Sequence, residues 1–89
     1  MEYEWDPGKA GLNLRKHGIP FSAMSDFNWD TAVVVADQRR EYGEARYLAI
    51  GFISLDLCSL AFTIRSGKVR VISLRIAGRK ERTLYERSR

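Results

Sequence analysis

A change in hydrophobic periodicity constrains the fold of this chain more than any other feature. From residue 32 onward, branched and aromatic residues recur with a period of two, which is typical of β-strands. Strands are predicted over residues 32–36, 46–53, 57–65 and 68–76. Because residues 54–56 and 66–67 are short turn segments, the last three strands are expected to form an antiparallel meander.

Helices are predicted on either side of these strands. An aspartate followed by proline opens a helix over residues 7–17, which a glycine ends. Apolar residues at threefold spacing predict a second helix over residues 20–29, and a short exposed helix is predicted over residues 79–87. With a short strand at residues 3–5, these elements predict one α+β domain spanning residues 1–89. Its antiparallel sheet would carry the two N-terminal helices on one face.

The charge balance favours a polyanionic partner. Fifteen Lys and Arg residues against eleven Asp and Glu residues give a formal net charge of +4, and most of the cations are arginines. The planar guanidinium group matches phosphate oxygens two at a time, so this composition suits a phosphate ligand. An ordinary solvated basic surface explains the same charge equally well, and both interpretations stay open.

The single cysteine, Cys58, lies within an apolar run and has no partner in the chain for a disulfide. It is expected to be a buried core residue in a protein of a reducing compartment. The sequence has no segment of the kind that forms a signal peptide or spans a membrane, so a cytoplasmic protein with no membrane partner is expected.

Alternation along the last two strands predicts which side chains face the core. The expected core face carries Cys58, Leu60, Phe62 and Ile64 together with Arg70, Ile72, Leu74 and Ile76. The expected opposite face carries Ser59, Thr63, Arg65, Ser73 and Arg75. Two arginines and three hydroxyl groups on one face are suited to holding a phosphodiester, although the solvated face of an antiparallel sheet has similar residues.

Two further groups of side chains are candidates for chemistry. On the C-terminal helix, Glu81 and Tyr85 follow Ala77 at fourfold spacing, so they can lie over the arginine face and transfer protons. Glu81 is equally suited to pairing with a neighbouring arginine.

On the first helix, Lys9, Asn13 and Lys16 form a polar stripe next to His17, the only histidine. His17 is a candidate general acid or base, and capping of the helix C-terminus is its alternative role. The sequence shows no metal-ligand spacing, glycine-rich phosphate loop or serine elbow, so any catalysis is expected to need neither metal nor cofactor.

The order and spacing of residues along the chain resemble those of the BrnT family of toxins. The N-terminal part of the resemblance consists of Trp5-Asp6, Lys9, Asn13, Lys16-His17-Gly18-Ile19 and Phe21. The remainder consists of Tyr42-Gly43-Glu44, Arg46, Ile50-Gly51, Arg70, Ile72-Ser73, Arg75, Ala77, Glu81-Arg82 and Tyr85. The resemblance covers nearly the whole chain.

The resemblance implies a RelE-like fold and an endoribonuclease that inhibits translation, opposed by a BrnA-type ribbon-helix-helix antitoxin. RNA is then the substrate, and operator DNA is contacted only through the antitoxin complex. Cleavage is expected to proceed by attack of a ribose 2′-hydroxyl on the adjacent phosphate. The catalytic candidates are Arg75, Arg65, Glu81, Tyr85 and His17, with Arg65 expected beside Arg75; the substrate-binding candidates are Lys9, Lys16, Ser73 and Arg46.

Two other functions are compatible with the same sequence. The chain can be a basic nucleic-acid-binding module without catalysis, or its basic surface can serve only to bind an acidic segment of an antitoxin. For such a partner, the charged link over residues 37–45 and the edge strand of the sheet are the expected docking points.

Overall fold

The computed structural model describes residues 1–88 as a five-stranded mixed sheet with helical segments on both faces. The strands follow the order β1-β5-β4-β3-β2. The elements are β1 (Tyr3–Glu4), α1 (Pro7–His17), β2 (Val33–Ala36), β3 (Tyr47–Ile53), β4 (Asp56–Arg65), β5 (Lys68–Ile76) and α2 (Arg79–Arg87), with 3₁₀ segments at Phe21–Asp26 and Trp29–Thr31. The predicted domain also includes residue 89, which lies outside the described residues.

The predicted antiparallel meander is confirmed, and it extends over β2 to β5. The β4–β5 turn consists of Ser66 and Gly67, both with positive φ, as the twist of a two-residue hairpin requires. The sheet as a whole is mixed rather than antiparallel, because β1 pairs in parallel with β5. This pairing joins the first strand of the chain to the last strand, and local periodicity carries no signal for it.

The first helix has the predicted bounds because both of its ends are capped. The Asp6 carboxylate accepts a hydrogen bond from the Lys9 backbone amide at 3.0 Å, and Pro7 occupies the first turn. At the other end, Gly18 adopts a φ of 75° and its amide donates to the Leu14 carbonyl.

The second N-terminal α-helix, predicted over residues 20–29, is wrong. The chain instead forms the two 3₁₀ segments, and Phe21, Met24 and Phe27 all point into the core. A spacing of three matches the three residues per turn of a 3₁₀-helix, whereas the 3.6-residue period of an α-helix would rotate this stripe away from the sheet.

A β-bulge in β5 makes the predicted face assignment wrong for residues 68–72, whereas Leu74 is buried in the core as predicted. Ala61 pairs with Ser73 while Phe62 pairs with Val71, so Ile72 is an extra residue between them. Consequently Val71 faces the core before the bulge and Leu74 faces it afterwards. Arg70 and Ile72 were predicted to face the core, but neither is buried. The Arg70 guanidinium instead donates to the Glu4 carboxylate at the edge of the sheet.

The face assignment of β4 is correct for Cys58, Leu60 and Phe62, which are all buried. The two isoleucines at strand ends are more exposed than predicted: Ile64 is 51% exposed and Ile76 is 44% exposed. Membership of a face therefore does not by itself bury a side chain near the end of a strand.

The sheet has a hydrophobic cluster on each face. The larger cluster lies beneath α1 and the first 3₁₀ segment, and a smaller one lies beneath α2. In the smaller cluster, Ala77 and Tyr85 pack with Ile50 and Leu57. The C-terminal helix has the predicted bounds but is not simply exposed, because it covers the face of the sheet opposite to α1.

Candidate functional site

A cationic groove lies between α1 and the bulged part of β5. Its volume is about 210 Å³. It is lined by Lys9, Leu12, Asn13, Lys16, His17, Ile72 and Ser73. The structure therefore brings together three of the substrate-binding candidates, Lys9, Lys16 and Ser73, with the catalytic candidate His17.

Helical spacing explains why α1 supplies one wall of this groove. Lys9 and His17 lie four residues before and after Asn13, and Lys16 lies three residues after it, so all four share one face. Asn13 is buried, whereas the flanking cations are accessible to solvent. A phosphate placed in the groove would meet positive charge along the whole face.

The imidazole of His17 lies in an environment that favours its neutral form. Its pKa is lowered from the ordinary value, first by burial and then by the positive charges of Lys16 and Arg75. A histidine that is neutral near physiological pH can accept a proton. Arg75 is not among the residues that line the groove, but its positive charge contributes to lowering this pKa.

Arg75 is held by a carboxylate with two roles. One oxygen of Glu81 accepts a hydrogen bond from Arg75 Nη2 at 2.5 Å, and its other oxygen accepts from the Gly78 backbone amide at 2.6 Å. The second contact caps the N-terminus of α2, where a negative charge also favours the helix dipole. Because the Arg75 side chain remains 37% exposed, its guanidinium can still meet a ligand.

The remaining two arginine candidates, Arg65 and Arg46, lie at the opposite end of the sheet. Arg75 pairs with Ser59, and Arg65 is six residues further along β4, a separation of about 20 Å along a strand. The expectation that Arg65 lies beside Arg75 is therefore wrong. Arg65 donates to Glu44 at 3.0 Å, and the Arg46 guanidinium stacks 4.2 Å from the centre of the Tyr42 ring.

A second, larger cavity lies beside these residues, under the link between β2 and β3. Its volume is about 490 Å³, and Arg40 and Arg46 line it together with the carboxylates Asp37, Glu41 and Glu44. These carboxylates offset the positive charge, so the smaller groove is the better match for a phosphodiester. Two of them are already engaged: hydrogen bonds from Arg39 and Arg65 lower the pKa values of Asp37 and Glu44, respectively.

The family of the chain agrees with the chemistry of the smaller groove. A family model described as "Ribonuclease toxin, BrnT, of type II toxin-antitoxin system" matches residues 5–81. The chain belongs to the BrnT family. Among curated proteins, none matches this chain. The segment that matches BrnT contains all of α1 and β5 and ends at Glu81, so it includes both walls of the groove and the carboxylate that holds Arg75.

The final catalytic candidate, Tyr85, lies outside the segment that matches BrnT. Its side chain is only 3% exposed and packs edge-to-face with Phe52, with ring centroids 5.8 Å apart. This places the ring in the smaller hydrophobic cluster, where it anchors α2 to the sheet.

Two hydroxyl residues expected on an open polar face are also buried in this BrnT chain. Ser59 is 2% exposed, and the Thr63 hydroxyl donates to the Ala45 carbonyl at 2.6 Å. Thr63 therefore fastens the link between β2 and β3 to the sheet. Of the three predicted hydroxyls, only Ser73 lines the groove.

One important feature of the groove was not predicted from the sequence, namely the burial of Asn13 in its lining. A polar stripe on α1 indicated solvent exposure, and the missing signal is the edge of β5 against which this stripe packs. Within residues 1–88, no group of three His, Cys, Asp or Glu side chains is arranged to hold a metal ion. No helix in the same part of the chain is long and apolar enough to cross a membrane.

Proposed function

We propose that this BrnT family member is an endoribonuclease whose active site is the groove between α1 and β5. The observation that carries the proposal is that His17, the only histidine of the chain, lines the groove together with Lys9 and Lys16. A proton acceptor beside cations suits phosphodiester cleavage, in which the nucleophile loses a proton and negative charge develops on the phosphate.

The proposed reaction uses the ribose 2′-hydroxyl of the RNA as its nucleophile. Neutral His17 removes the 2′-hydroxyl proton as the oxygen attacks the adjacent phosphorus, which breaks the bond to the 5′-oxygen and leaves a 2′,3′-cyclic phosphate. The resulting imidazolium returns its proton to the 5′-oxygen. Lys9, Lys16 and Arg75 stabilise the negative charge on the phosphate oxygens, and Ser73 supplies a hydroxyl donor.

Glu81 and Tyr85 have supporting roles in this scheme. Glu81 is committed to Arg75 and to the α2 cap, so it orients the guanidinium rather than competing with His17 for the proton. Tyr85 anchors α2 and thereby holds Glu81 in place. The side chains of the groove supply proton transfer and charge stabilisation themselves, which supports cleavage without a metal ion.

Membership of the BrnT family supports a proposal about the wider setting of this protein. We propose that residues 1–89 form one RelE-like toxin domain that inhibits translation in the cytoplasm. We further propose that a BrnA-type ribbon-helix-helix antitoxin neutralises it and that operator DNA is contacted only through that complex. The description of the family as part of a type II toxin-antitoxin system supports the existence of an antitoxin.

The test compares His17→Gln and Arg75→Gln with Arg70→Gln. Arg70 is a matched control because it also lies on β5 and donates to a glutamate, Glu4, at 2.9 Å. Each purified protein is incubated with RNA in EDTA, and growth and total-RNA integrity are followed after induction without antitoxin. We expect cleavage and growth arrest for wild type and Arg70→Gln, and a loss of about a hundredfold or more in cleavage for His17→Gln and Arg75→Gln.

Two results would contradict the proposed ribonuclease activity and favour a different function. Salt-dependent RNA binding without cleavage by the folded wild type would indicate a nucleic-acid-binding module. Absence of both RNA binding and cleavage would indicate that the basic surface serves only an acidic partner segment.

A further inference from the structure

We propose that Asn13 is a positioning residue of the groove, because its side-chain amide fastens α1 to β5 between the two walls that carry the reactive groups. This inference rests on the proposed ribonuclease function for its catalytic consequence. The structural link itself is independent of that function and can be measured without RNA.

The amide of Asn13 makes contacts on both sides. Its Nδ2 donates to the Leu74 carbonyl at 2.8 Å and to the Ile19 carbonyl at 3.2 Å, while its Oδ1 accepts from the Leu74 amide at 3.1 Å. The side chain is 6% exposed, so these bonds are shielded from competing water.

The same contacts replace a missing neighbouring strand. At this edge of the sheet β1 pairs only with Val69 and Arg70, and the rest of β5 continues beyond it. The backbone hydrogen-bonding groups of successive residues in a strand point alternately to its two edges. The extra residue at Ile72 shifts this alternation by one, so the backbone groups of Leu74 point to the same edge as the Val69 amide. The Asn13 side-chain amide presents one N–H and its carbonyl oxygen to the carbonyl and amide of Leu74, so it pairs with Leu74 as a strand would, and its second N–H donates to Ile19.

The position of this link explains why it affects both walls. Along α1, the groove-facing Lys9, Lys16 and His17 all lie within about one turn of Asn13. Along β5, Ser73 and Arg75 are the immediate neighbours of Leu74. One pair of hydrogen bonds therefore sets the separation between the cations and imidazole of α1 and the hydroxyl and guanidinium of β5.

Few residues of α1 contribute to apolar packing: Ala10 is partly buried against the larger hydrophobic cluster. Asn13 is the buried residue of the helix, and Leu12 and Leu14 are both exposed. Without the amide, α1 can slide or rotate on the sheet at small cost in buried apolar area. Shifts of about 1 Å in a catalytic group can lower a rate by about a hundredfold.

The first measurement uses NMR titration to determine the pKa of His17 in wild type, Asn13→Ala and Asn13→Leu. The signal is unambiguous because His17 is the only histidine. We expect its pKa to rise toward the ordinary value in both variants, because withdrawal of α1 reduces the burial of the imidazole and its exposure to the charge of Arg75. The matched control is Asn28→Ala, which removes the other asparagine of the chain from an exposed contact with the Asp30 amide.

The second measurement is cleavage of RNA. In folded Asn13 variants, kcat is expected to fall about tenfold or more with a smaller change in KM, and Arg75→Gln is expected to cost less in the Asn13→Leu background than in wild type. Asn13→Leu fills the space of the amide, so it serves as the test if Asn13→Ala fails to fold. An unchanged His17 pKa or an unchanged kcat in a folded variant would overturn the proposal.

The two measurements separate this inference from the proposed function. If the wild type does not cleave RNA, the ribonuclease proposal fails and the catalytic role of Asn13 fails with it. A raised His17 pKa in the variants would still establish the link between α1 and β5. If the wild type cleaves RNA and the Asn13 variants keep the wild-type His17 pKa and kcat, only the positioning role of Asn13 is refuted.

Discussion

Replacing Gly51 with alanine is expected to destabilise the fold, because the new methyl group has no space. Gly51 lies in β3 beneath Phe27, and a β-carbon built there would lie 2.7 Å from Phe27 Cζ and 3.1 Å from Ala32 Cβ. Carbon atoms without a bond between them are normally about 3.5–4.0 Å apart, so the overlap with the ring is about 1 Å.

The surrounding residues prevent the ring from moving aside. Phe27 is buried and packs edge-to-face with Trp29 at a centroid distance of 4.7 Å, and its backbone bridges to Ile53. Overpacking of this kind costs about 1–3 kcal/mol in the free energy of unfolding. For a domain of this size, each kcal/mol lowers the melting temperature by about 4–8 °C.

Gly11→Ala is the matched control because the chemical change is identical. Gly11 lies inside α1, and a β-carbon at this position has no heavy atom within 4 Å. Alanine is the better helix former, so the variant is expected to gain about 0.5–1 kcal/mol. Urea unfolding followed by circular dichroism measures both changes. A Gly51→Ala protein as stable as wild type would refute the reasoning about the packed ring.

Two further predictions concern single side chains. The pKa of His17 is lowered in the folded state, so the unfolded chain takes up more protons than the folded protein below about pH 6.5. Wild type should therefore lose stability relative to His17→Gln as pH falls from about 7 to about 5. Urea-unfolding midpoints of the two proteins that change equally with pH over that range would contradict this prediction. Cys58 is 1% exposed and burial raises its thiol pKa, so modification by a disulfide reagent in native buffer should be more than about a hundredfold slower than in denaturant. Equal rates would show that the thiol is accessible in the folded protein.

Local signals allowed much of the fold to be predicted. The bounds of α1 followed from Asp6, Pro7 and Gly18, whose effects do not depend on distant residues. The turn at Ser66-Gly67 fixed the β4–β5 hairpin in the same way. Features that depend on residues far apart in the chain were missed: the parallel pairing of β1 with β5 and the extra residue at Ile72 have no local signature.

The candidate site was predicted in residue type better than in position. Lys9, Lys16 and His17 were recognised as one stripe because helical spacing alone determines it, and the structure places all three in the groove. Arg65 was assigned to the neighbourhood of Arg75 because alternation gives the face of a strand but not the distance along it. The burial of Asn13 depends on the unpaired edge of β5, which no property of α1 reveals.

The extra residue in β5 gives this nine-residue strand two phases of alternation. Before Ile72, the odd-numbered residues face the core. After Ile72, Leu74 faces the core, and the odd-numbered Ser73 and Arg75 point away from it. The first half of the strand therefore serves as scaffold, and the second half presents reactive groups. A small domain has too few residues to give each task a separate element, and here a single inserted residue divides one strand between them.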